Sequence, residues 1–159
     1  MMTNKEFFLK TFGYEAPKYK KVIEYFPEDK HTHKVHDKAR EAGNLAAQLA
    51  LQWKAISGVL KSGTPEFDPH EMENQTKSSM LEKFDAGVSE LMKDVENISE
   101  DEWDNGEASM GETWKDKKGM MAWGFLFDAI HHRGQLTTYI RAMGEKVPAI
   151  YGPSADEAN

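Results

Sequence analysis

An acid and a histidine stand four residues apart in the stretch Phe127-Asp128-Ala129-Ile130-His131-His132-Arg133-Gly134-Gln135-Leu136. Residues at i and i+4 of a helix stack on one face, so Asp128 and His132 can meet the same partner. In an apolar run both side chains carry a desolvation cost that a partner must offset. A shared metal ion, an ion pair or a catalytic dyad would each do so. A carboxylate oxygen and an imidazole nitrogen suit Zn²⁺, Ni²⁺ or Fe²⁺, and residue type does not separate these ions. The structural alternative is a buried Asp128–His132 pair, joined by Arg133 or Arg141, that holds no metal.

The other histidines are weaker candidates. His31-Thr32-His33 and His36 form an HxHxxH cluster similar to hydrolase metal boxes. Such boxes need a strand to aim the imidazoles, and this cluster lies in a polar segment, so a solvated loop is expected. His70 follows Pro69 and reads as surface. His131 points about 100° away from His132 around a helix, so the two do not readily share an ion. Gly134 removes a side chain one turn from the pair and would admit another backbone. Met80, Met92, Met120 and Met121 read as core filler.

Four helices must position these residues. Phe7, Phe8, Phe12, Tyr19, Val22, Ile23 and Phe26 predict a first helix from about Asn4 to Phe26, with Gly13 and Pro17 as points of interruption. Pro27-Glu28-Asp29-Lys30 reads as a stop. A second helix follows Asp37 and runs to about Leu60 on the stripe Leu45, Leu49, Ile56 and Leu60, with Trp53 beside it. Gln48 and Gln52 fall on that apolar stripe. After a connection from Gly63 to Pro69, Met80, Phe84, Val88, Leu91, Val95 and Ile98 keep helical spacing through a third helix. Ser99 to Trp103 reads as a polar turn and Asn105 to Glu112 as a loop. A fourth helix spans about Lys115 to Met143, with Gly144 at its C′ position. Its stripe of Met121, Phe125, Asp128, His132, Leu136, Tyr139 and Met143 makes Asp128 and His132 core-facing. A second apolar set, Trp123, Phe127 and Ile130, either sits centrally or is lent to a partner subunit. The tail from Val147 to Ser154 is extended by its prolines and apolar enough to pack. No segment keeps a period of two, and the expected fold is one all-α domain over residues 1–159, an antiparallel four-helix bundle.

Bulk properties narrow the function. The chain has 159 residues, a formal net charge of −7 and no cysteine. Its size suits a single domain. The acidic balance argues against nucleic-acid and anionic-membrane partners. Disulfides, thiolate metal sites and a protein-borne sulfur nucleophile are excluded. No signal-peptide pattern opens the chain, and no apolar run approaches the ~18 residues of a membrane span. A soluble cytoplasmic protein is expected.

Several runs also resemble a known family. His131-His132-Arg133-Gly134-Gln135-Leu136, Tyr139-Ile140-Arg141-Ala142-Met143-Gly144 and Val147-Pro148-Ala149-Ile150-Tyr151-Gly152-Pro153-Ser154 strongly resemble the C-terminal signature of the DinB-like (YfiT-type) damage-inducible superfamily. The run Lys38-Ala39-Arg40-Glu41-Ala42-Gly43-Asn44-Leu45-Ala46-Ala47-Gln48-Leu49-Ala50 is similar to its second-helix motif, and Phe84-Asp85 through Leu91 also fits. The resemblance implies a four-helix bundle, a homodimer, and a divalent metal held by three histidines. Carried over by position, those three fall on Gln48, Asp128 and His132, of which His132 alone is histidine. Characterised relatives act as thiol transferases, and others as metal-dependent hydrolases or isomerases. The implied partner is a small-molecule thiol or electrophile, with the sulfur supplied by the cosubstrate.

Two readings follow. The first is a modified metal site in the bundle core, serving a metal-dependent thiol S-transferase. The second is a metal-free bundle that binds an apolar ligand or acts as a dimeric stress-response scaffold, with Asp128 and His132 as a polar anchor.

Overall fold

The computed structural model describes residues 1–67, 70 and 75–158. Among these residues four long helices form the body: α1 (Asn4–Tyr25), α2 (Ala42–Ser62), α3 (Lys77–Asn97) and α5 (Lys118–Ala142). Between α3 and α5 lie a short helix α4 (Glu100–Asn105) and an antiparallel hairpin of β1 (Glu107–Met110) and β2 (Trp114–Lys117). The expected all-α bundle is therefore present, with a small sheet added at one end.

Cross-helix contacts fix the directions. Lys20 meets Asp85, and Lys5 reaches the carbonyl of Ile98, so α1 and α3 are antiparallel. Gln48 meets Asp128 and Leu60 meets Lys118, so α2 and α5 are antiparallel. Trp53 meets Phe84 while Lys61 meets Glu90, so α2 and α3 run the same way. Ser62 and Lys77 accordingly lie at opposite ends of the bundle. Pro69 of the connection between them lies outside the described residues.

Helix ends differ from the periodic reading for local reasons. α1 runs through Pro17 unbroken. The Gly13 carbonyl that Pro17 cannot serve is on the exposed side, where water can meet it. α2 begins at Ala42 rather than after Asp37, because the preceding loop supplies its cap: the Ala42 and Gly43 N–H groups donate to the carbonyls of His33 and His31. The turn expected at Ser99 to Trp103 tightens into α4, with Ser99 Oγ accepting from Glu102 N. The segment read as a loop, and the first three residues given to the last helix, instead pair as β1 and β2. Gly144 closes α5 with φ +84°, as its C′ reading requires.

The core centres on Trp53, whose ring packs against Phe12, Tyr19 and Phe84 at 5.1, 4.8 and 5.8 Å. At the hairpin end Asn4 Oδ1 accepts from the indoles of Trp103 and Trp123 at 2.9 and 3.0 Å, which ties α1 to α4 and α5.

One charged cluster lies inside this core. Arg133 and Glu15 are only 2% and 4% exposed, and Arg133 Nη1 donates to Glu15 Oε2 at 2.6 Å. Tyr151 Oη from the tail donates to the same oxygen at 2.8 Å, and the guanidinium lies 4.5 Å from the Tyr19 ring centre. Burial pushes the Tyr19 phenol well above its ordinary value, with Arg133 working against it. The tail is pinned again where Asp156 meets Arg141 and Val147 N–H, and where Glu157 meets Lys21 and Ala149 N–H.

Glu15→Ala leaves a buried guanidinium without its carboxylate and is expected to cost about 3–5 kcal/mol in urea unfolding. Glu15→Leu combined with Arg133→Met should recover most of the loss; an equal loss in the double variant would contradict the pairing argument. The tail carries a second expectation. Arg141 and the Val147 N–H hold the Asp156 carboxyl below its ordinary range, and Lys21 and the Ala149 N–H do the same for Glu157. A depressed carboxyl stabilises the fold above its ordinary value and loses that contribution as pH falls through the depressed one. The tail should therefore loosen below about pH 4 while the helices persist. Amide exchange at Val147 and Ala149 reports it, and protection that stays constant to about pH 3 would contradict it.

Candidate functional site

The three residues singled out by sequence come together at the seam between α2 and α5. Asp128 Oδ2 is the centre. It lies 3.2 Å from His132 Nε2 and 3.4 Å from Gln48 Nε2, which donates to it. The first contact is the i, i+4 geometry of α5, and the second crosses to α2. Small residues on α2 make the crossing short, since Ala42, Ala46, Ala47 and Ala50 are all fully buried.

The depth differs from the expectation. Asp128 and His132 are not in the bundle core: the Asp128 side chain is 49% exposed and that of His132 is 15%. A buried stripe of α5 instead runs through Ala122, Leu126, Ala129, Arg133, Leu136 and Ile140. Arg133 holds a core position because Glu15 neutralises it, and this turns Asp128 and His132 to the side. The arginines expected beside the pair go elsewhere, Arg133 to Glu15 and Arg141 to Asp156.

Two residues not foreseen complete the cluster. Gln135 Oε1 lies 2.7 Å from His132 Nδ1 and fixes the ring from behind. Arg40, in the loop before α2, donates to Gln48 Oε1 and to the carbonyl of Asn44. Tyr139 Oη in turn donates to the Arg40 carbonyl at 3.1 Å. Gln135 could have been found at three residues from His132. Arg40 could not, since its position depends on how the loop folds back.

The remaining candidates separate. His31 packs edge-on to Phe26 at 5.2 Å, and His33 edge-on to Tyr139 at 6.4 Å. Both are half-buried rather than solvated. A Cβ on Gly43 would lie 2.1 Å from His31 Nδ1, so glycine is what lets that ring settle there. His36 Nδ1 accepts from Lys38 N, and the three rings make no box. His70 and His131 are exposed. A Cβ on Gly134 would meet nothing within 4 Å, so among the described residues no backbone uses the space. Met80 and Met121 are buried, Met92 is half-buried, and Met120 is 56% exposed. Among the described residues no three histidine, aspartate or glutamate side chains could hold an ion together. The seam cluster reaches three donors only through Gln48.

The sequence model of the DinB family matches residues 1–159. The chain belongs to the DinB family. Two solved DinB-like proteins share its fold. One, from Bacillus subtilis, is 17% identical with a TM-score of 0.69, covering 90% of this chain and 96% of its own. The other, from Bacillus cereus ATCC 10987, is 14% identical with a TM-score of 0.74, covering 91% and 95%. A comparison with curated proteins found no match. No described helix of this DinB-family chain is long and apolar enough to cross a membrane.

Proposed function

We propose that Gln48, Asp128 and His132 hold a divalent metal ion at the α2–α5 seam, and that the site serves thiol S-transfer to small electrophiles. The direction of the two His132 nitrogens carries this reading. With Nδ1 donating to Gln135 Oε1, Nε2 turns a lone pair toward a carboxylate oxygen 3.2 Å away. Two acceptors so placed need a cation between them. Ligands of one ion at ordinary bond lengths lie about 3.0–3.5 Å apart, which includes the Asp128–His132 separation.

The donor set fits a loosely held divalent ion. His132 and Asp128 are competent ligands, and Gln48 becomes a weak third once its amide turns to present Oε1. That turn releases Arg40, which donates to the same oxygen. A divalent ion lowers the pKa of a bound thiol and favours the thiolate. Within the chain, Gln135 sets the His132 ring, Asp128 supplies the anionic oxygen, and the half-exposed seam admits a small molecule. With no cysteine in the chain, the sulfur arrives on the cosubstrate.

The Arg40–Gln48 bond favours a second reading, in which a proton rather than a metal lies between His132 and Asp128 and the cluster anchors a ligand without catalysis. Element analysis separates the two. Protein purified without a histidine tag is expected to carry about one metal ion per chain. His132→Ala should lose it, and Gln135→Leu should weaken binding about 10–100-fold in a chelator competition. Metal retained in His132→Ala would overturn the ligand assignment, whereas metal-free wild type with a melting temperature indifferent to Zn²⁺ and Ni²⁺ favours the second reading.

We further propose that the protein is a homodimer formed through the outer face of α1 and α5. Phe7, Met120 and Phe127 are exposed, and Trp123 packs between Phe7 and Phe127 with ring centres at 5.5 and 5.6 Å, making one aromatic patch across both helices. Phe127→Glu should convert a dimer to a monomer in light scattering with helix content unchanged; a monomeric wild type would sink the idea.

A further inference from the structure

We propose that the seam binds a small amphiphilic carboxylate, with its apolar part against Trp114 and Phe125 and its anionic end on Arg40. This takes the cluster around Asp128 as the ligand site and does not require a metal there.

The apolar wall comes from the hairpin. Gly124, Asp128 and His132 follow at i, i+4 and i+8 and so share one face of α5. A Cβ on Gly124 would lie 2.3 Å from Trp114 Cη2 and 2.7 Å from Cζ2. The indole thus occupies the place of a side chain at 124, about 6 Å along the helix from Asp128. It is half-exposed and packs on Phe125, also half-exposed, at 5.6 Å. The hairpin holds it firmly: Trp114 pairs with Met110, and Ser109 N donates to the Gly63 carbonyl at the end of α2.

The cationic end is Arg40. The chain has three arginines. Arg133 and Arg141 are paired with Glu15 and Asp156. Arg40 bonds only to the neutral oxygens of Gln48 and Asn44, and meets no carboxylate among the described residues. In a chain of net charge −7, a guanidinium without a carboxylate partner beside a half-open seam is a receptor for an anion.

A third observation places a further polar group nearby. Gln52 follows Gln48 by one turn on the α2 face toward α5. It is 4% exposed, and neither amide atom has a hydrogen-bond partner among the described residues. A buried amide left unpaired is costly, and a ligand polar group reaching the seam would relieve it. From the hairpin along the seam, the order is therefore aromatic, then polar, then cationic.

The test is calorimetric titration of the full chain with 4-phenylbutyrate and with its neutral analogue 4-phenylbutanamide, once after chelator treatment and once with Zn²⁺ added. Wild type should bind the acid about tenfold more tightly than the amide. Arg40→Gln should abolish that preference, weakening the acid about tenfold more than the amide. Gly124→Ala, which displaces the indole, and Trp114→Leu, which removes it, should each weaken both probes about fivefold. Circular dichroism and melting curves confirm that each variant folds. Equal binding of acid and amide by wild type would overturn the proposal, as would a preference retained in Arg40→Gln or wild-type affinity in both Trp114→Leu and Gly124→Ala. Acid bound only with Zn²⁺, and equally by Arg40→Gln, would place the carboxylate on the metal: this proposal would fall and the metal reading would stand.

Discussion

The site depends on a charge pair it does not contain. Arg133 lies in the middle of α5, and a guanidinium there can enter the core only against a carboxylate. Glu15 on α1 supplies it, and Tyr151 from the tail completes the bonding. That pairing fixes the rotation of α5. Successive residues are turned by about 100°, so with Arg133 facing inward toward α1, His132 is carried sideways to α2. Asp128, one turn earlier, follows it to the same seam. The exposure of the Asp128 side chain is therefore a consequence of burying Arg133.

This also explains how far the sequence could be read. Four helical patterns and the pairing of Asp128 with His132 were legible, because period and i, i+4 spacing are local properties. Gln48 was legible as a polar residue on an apolar stripe, and it does meet Asp128. The rotation of α5 was not. Its apolar residues extend around both sides, so a stripe drawn through Asp128 and one drawn through Arg133 are equally periodic. Only the position of Glu15, more than a hundred residues away in the chain, decides between them. The family resemblance located the three positions without saying how deep they lie.

The loop before α2 shows a different kind of illegibility. Its histidines looked like a solvated cluster, yet the carbonyls of His31 and His33 cap α2 and the His31 ring rests over Gly43. That arrangement delays the start of α2 to Ala42 and brings Arg40 over Gln48. Had α2 begun just after Asp37, as helical periodicity suggested, Arg40 would be a helical residue rather than part of a loop free to fold back. The cation at the mouth of the seam thus follows from how the helix is capped.

The hairpin makes the same point at the other end. Strands of four residues leave too few alternations to register as a period of two, so β1 reads as a glycine-rich loop and β2 as the start of the last helix. Gly124 by itself reads as a weak point in a helix, at a cost of roughly 1 kcal/mol against alanine. Trp114 is a half-exposed ring on a short strand. Together they are one feature, because the indole occupies the space that only glycine leaves open. A helix that forgoes a side chain there, and a strand pair that carries a ring to that spot, place the indole one turn from Asp128. The helical glycine therefore has a packing explanation, and the hairpin becomes part of the wall of the seam rather than a spacer between helices.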